Sequence, residues 1–142
     1  MEVAEVRRRL RAAIEQARRQ AAIRRERVDQ AGRDYERFLA ERAVPVFHTL
    51  AAALTAEGYR FSVFTPAGSV RLSSERSGTD FLELALDSSG DQPVLVVRTN
   101  RGRGRRHVTT ERVVRHGSEL EGLTEEEVLG FVLEDIEPFV ER

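Results

Sequence analysis

The residues of this chain that could do chemistry are three histidines, 24 acids and 23 basic residues, every one of the latter an arginine. Cysteine is absent. That removes thiol nucleophiles, thiolate metal sites and disulfides together. His48, His107 and His116 are not spaced four apart on a helix, the arrangement that would set two imidazoles on one face for a metal. His107 and His116 with a carboxylate would be the one combination able to hold an ion, and exposed strand and loop positions are the simpler reading. No HExxH, GxSxG, phosphate-loop or dinucleotide pattern occurs. A general acid and base must sit in contrasting environments. Glu83 and Glu111 fall on strands, and nothing in their spacing brings them together. The residues therefore point away from an enzyme, with no catalytic residue, metal or cofactor.

The sharpest local feature is a run of arginines. Arg98, Arg101, Arg103, Arg105 and Arg106, beside His107, would crowd several guanidinium groups onto one hairpin tip. Arginine forks match phosphate geometry, and a two-stranded ribbon can enter a nucleic-acid groove. Against this, aromatic residues are 6% of the chain and none lies in the tip, so base stacking has no platform. A solvated turn that keeps the sheet edge from pairing is the plainer reading. Lysine is missing everywhere, as a GC-rich bacterial genome would produce, so clustered arginine is weaker evidence here than elsewhere.

The elements that must carry these groups are easier to read. From residue 2 to 42 the chain is rich in Ala, Arg, Glu and Gln, which favour helix. Glu5 with Arg9 and Glu15 with Arg19 are acid-first pairs four apart. A four-three spacing runs through Leu10, Ile14, Ala17, Ala21, Arg24, Val28, Ala31, Tyr35 and Phe38. It is a coiled-coil-like seam with one charge in it. Some 40 helical residues would span about 60 Å, far beyond a small head. Such an arm pairs with another chain, folds back near Gly32, or frays. Pro45 suits the first turn of a second helix over residues 45–56, capped by Gly58. One helix kinked at Pro45 is the alternative.

The period then changes to two. Five strands are predicted at 59–65, 69–75, 80–87, 93–99 and 106–115. Their short glycine-containing connections imply an antiparallel meander. Leu82, Leu84 and Leu86 alternate with Glu83, so one sheet face looks inward. Thr124 and Glu127 form a capping box before an amphipathic helix, Leu123 can staple onto Val128, and Pro138 ends that helix near Ile136.

The expectation is an α+β chain: a helical arm over residues 1–43, either straight or bent at Gly32, and a head over 44–142 with a short helix, a five-stranded antiparallel meander and a C-terminal helix. Residues 1–43 carry a net +4, 44–116 a net +3 and 117–142 a net −8. An acidic tail of this kind is expected to meet a basic surface in the same chain or another. No apolar run reaches the ~20 residues of a membrane span and no signal peptide opens the chain, so a cytoplasmic protein is expected. The leading expectation is a non-catalytic interaction or assembly module. It would form a homodimer, or engage a helical protein partner, through Leu10, Ile14, Ala17, Ala21, Val28, Tyr35 and Phe38. The alternative is a nucleic-acid-binding protein using the arginine hairpin.

Overall fold

The computed structural model describes residues 1–141. Helix α1 (Val3–Phe38) passes through a wide π-turn at Leu39–Ala43 straight into α2 (Val44–Ala56), making one joined helix. Gly32 lies inside α1 with nothing within 4 Å of where a Cβ would stand. The helix runs unbroken through it and does not turn back. A glycine costs a helix only about 1 kcal/mol, and Ala31, Asp34, Tyr35 and Phe38 beside it are buried against the head.

The irregularity comes instead ahead of Pro45. Proline has no N–H to give to the carbonyl four residues back, and its ring crowds that carbonyl. The turn before it opens to the five-residue pattern, with the Val44 N–H bonded to the Leu39 oxygen. Phe38 and Ala43 are five apart, yet both are fully buried. The wide turn thus keeps one apolar stripe on the sheet across the junction. Gly58, at φ 91°, closes α2. The Tyr59 N–H bonds the Leu54 oxygen at 2.8 Å and the Gly58 N–H bonds the Thr55 oxygen at 3.0 Å, the paired bonds of a glycine-terminated helix.

Strands β1 (Phe61–Phe64), β2 (Ser69–Ser74), β3 (Phe81–Asp87), β4 (Val94–Arg103) and β5 (Arg106–His116) form an antiparallel sheet in that order. Direct pairing sets Val63, Leu72, Leu82 and Thr99 in one inward row and Val70, Leu84, Val97 and Arg112 in the next. Phe38, Phe47 and Leu50 from the joined helix pack on this face, with Val128, Phe131 and Val132 of α3 (Glu125–Asp135). A bulge opposite Leu95 and Val96 leaves Val114 as the extra residue of β5, buried in the same core.

The C-terminal helix follows its sequence signals. The Glu127 N–H donates to the Thr124 hydroxyl at 3.2 Å, and the Glu127 carboxylate accepts from the Thr124 N–H at 3.4 Å. Leu123 and Val128 are both buried. The helix stops at Asp135, and a 3-10 turn carries Pro138. The acidic tail does meet basic residues of its own chain. Arg112 pairs with Glu134 at 2.9 Å and Asp135 at 2.8 Å, and Arg115 with Glu127 at 2.8 Å. The Arg115 hydrogen bond holds the Glu127 carboxyl below the usual carboxylate range. A carboxylate lowered in the folded state adds stability above its unfolded value of about 4.3, and that stability is lost as pH falls through the folded value. Glu127→Gln keeps a competent cap. It should lower the urea midpoint at neutral pH and flatten the midpoint's fall between about pH 5 and pH 3. An unchanged acid slope would remove the pair from the account.

Candidate interaction surfaces

Of the joined helix, the portion before Ala31 lies outside the core, and its residues 21–30 run past the β3–β4 loop at Ser89–Asp91. Leu10 is 56% exposed and Ile14 40%, with Val3, Val6 and Ile23 also exposed. Ala17 is exposed, while Ala21 and Val28 are half-buried. Tyr35 and Phe38, the last two positions of the seam, belong to this chain's own core and are not open to another helix. The Tyr35 hydroxyl donates to the Gly68 carbonyl, and burial pushes that phenol well above its ordinary range. The seam thus has two parts: Ala31, Tyr35 and Phe38 fix α1 to the head, and the same stripe continues outward through Val28 to Leu10. Burial in the core therefore begins at Ala31, inside the predicted arm. At its root a groove of about 530 Å³ separates Ala21, Arg24, Arg25, Val28 and Asp29 from the β3–β4 loop at Ser89, Gly90 and Asp91. Neither Asp29 nor Asp91 makes an ion pair among the described residues.

The arginine hairpin is longer and tighter than its sequence suggests. The expected loop over residues 100–104 is strand for most of its length. Only Gly104 and Arg105 form the turn, with Gly104 at φ 61°. A glycine at the first central position is what a II′ hairpin needs. β3 pairs β4 only as far as Asn100, so the pairs Arg101–Val108, Gly102–His107 and Arg103–Arg106 project as a two-stranded ribbon. The Gly102 N–H to Asp80 at 2.8 Å and the Asn100 amide to the Thr79 carbonyl at 2.6 Å steady its base.

The six predicted residues do not form one group. Arg98 lies within the sheet, 2.8 Å from Glu111 and 3.7 Å from Glu83, and the Glu111 hydrogen bond raises its pKa further. Arg101 is half-buried and donates to the Pro138 carbonyl at 3.4 Å. Arg103, Arg105, Arg106 and His107 remain exposed at the tip, with no ion pair among the described residues.

The outer sheet face carries a feature that the sequence did not reveal. Register aligns Phe64, Arg71, Glu83, Arg98 and Glu111 across all five strands. Glu83 is buried, accepting from Arg71 Nε at 2.7 Å, and the Arg71 guanidinium lies 3.8 Å over the Phe81 ring. Glu83 and Glu111 do converge, but on Arg98, which is an ion-pair role. Only strand register could have revealed the row.

No family model, curated protein or solved structure matches the chain. Among the described residues no three metal-ligating side chains gather, and no helix is long and apolar enough to cross a membrane. His48, His107 and His116 are all exposed and lie on α2 and at the two ends of β5. The outer part of the arm exposes Leu10 and Ile14, and the ribbon tip exposes Arg103, Arg105 and Arg106.

Proposed function

We propose that the protein is a non-catalytic assembly module that self-associates through its N-terminal arm. One observation carries this reading: the stripe that docks α1 into the core runs on through Val28 and Ala21, half-buried beside the β3–β4 loop, to Ala17, Ile14 and Leu10, which are exposed. Helices in water are stabilised mainly by packing an amphipathic face. An arm of 28 residues, about 42 Å long, has such a face, and the head leaves its Leu10 and Ile14 exposed. A second arm covers them.

The second reading gives the ribbon to an anion, with nucleic-acid phosphate as the leading candidate. Its support is the direct pairing of Arg103 with Arg106. Like charges opposite one another weaken a ladder, and phosphate would relieve them.

Light scattering on the eluting protein, read at 260 and 280 nm, tests both. The chain has no tryptophan and two tyrosines, so bound nucleic acid would dominate its absorbance. A clean species of twice 16.1 kDa is expected. A clean monomer would overturn self-association, and a peak with strong 260 nm absorbance would put the ribbon first.

A further inference from the structure

We propose that two arms pair antiparallel, with the heads at opposite ends and the N-terminal part of each arm seated in the groove at the root of the other. The inference rests on the self-association reading and adds its geometry.

The head itself argues for the direction. Ala31, Tyr35 and Phe38 belong to the seam and are buried, so the sheet lies on the seam side of α1. A second helix laid parallel on that side would bring its own head to the same level. Two heads would then compete for one space. Reversing the second helix moves its head to the far end and leaves only its N-terminal part near the first, where residues 1–7 pass beside the head because Ala31 and Tyr35 are already buried.

Size and charge agree with that direction. With Leu10 level with the partner's Val28, Ala17 falls level with the partner's Ala21 at the centre, where small side chains let helix backbones approach. Arg24, the one charge in the seam, then meets the partner's Ile14, next to the partner's Glu15. In a parallel pair it would face a second Arg24. Arg9, 3.3 Å from Glu5 in its own arm, comes level with the partner's Asp29, which makes no ion pair among the described residues, and Asp91 lines the same groove. The first 30 residues hold nine arginines and five acids. Reversal thus carries the Arg7–Arg11 region toward two unpaired carboxylates, while parallel pairing sets it against its own copy.

The natural chain lacks cysteine, so introduced thiols and a short bismaleimide report the geometry cleanly. Ala17→Cys lies near the two-fold axis and should link to itself. Leu10→Cys and Val28→Cys should each fail to self-link, because antiparallel copies of either position are about 27 Å apart along the axis. A mixture of the two variants should link into the heterodimer, a band at twice the 16.1 kDa chain mass. A monomer mass by light scattering for Ala17→Cys and the unsubstituted chain alike would sink the self-association reading itself. Self-linking of Leu10→Cys, or failure to link by Ala17→Cys or by the mixture in samples that light scattering shows to be dimeric, would overturn the antiparallel pairing and leave that reading standing.

Discussion

Removal of residues 1–27 is expected to yield a folded monomer, with the urea midpoint of the head within a few tenths molar of the intact chain measured as a monomer. The expectation follows from where burial begins. Up to residue 27 every position except Ala21 is exposed, and the core starts with Ala31. The deletion removes Leu10, Ile14, Ala17 and Ala21 and spares the residues that hold α1 to the sheet. Loss of the dimer with retention of the fold is the combined result, read by light scattering and circular dichroism on one sample. A truncated form that still dimerises would move the interface onto the head. A deletion to residue 40 is a different experiment. It removes Tyr35 and Phe38 and should unfold the protein.

Phe38→Ala is expected to cost about 3–5 kcal/mol, the range for removing a buried aromatic side chain. Phe38 is fully buried, its ring 6.5 Å from that of Tyr35, with the Arg42 guanidinium 5.4 Å from its centroid. Arg42 in turn donates to the Leu120 and Glu121 carbonyls at 3.1 and 3.2 Å. One truncation thus opens a cavity and loosens the clamp between the wide turn and the Gly117–Gly122 turn. Domains of this size hold about 5–15 kcal/mol in all, so much of the margin would go. A urea midpoint lowered with an unchanged slope is the readout. Leu10→Ala is the contrast: its side chain stands in solvent in the single chain, so it should leave the monomer's midpoint alone and weaken association. A stability loss at Leu10 equal to that at Phe38 would mean that the arm folds only as a dimer.

What the sequence made legible is what short range determines. The capping box at Thr124, the alternation of Leu82, Leu84 and Leu86 and the glycine-marked hairpins each need only neighbouring residues, and each element was read with its type and order. Gly32 misled because its helix penalty is local while the burial of Tyr35 and Phe38 that outweighs it is tertiary. The joined helix at Pro45 needed a wide turn, which has no residue signature. The arginine cluster was over-read for a similar reason. Arg98 and Arg103 look alike in one dimension, and only register with β3 and β5 gives the first to Glu83 and Glu111 and leaves the second in solvent. In the seam, spacing alone could not say where core ends and free surface begins.

The wide turn at Leu39–Ala43 also sets an azimuth. It carries one residue more than an ordinary helical turn, and each residue of an α-helix turns the chain by about 100°. Deleting one residue there would put the helix before it and α2 about 100° out of phase. Phe38 and Phe47, both fully buried, could then no longer face the sheet together. A single codon lost or gained at this joint would re-aim the arm only by taking one of the two out of the core.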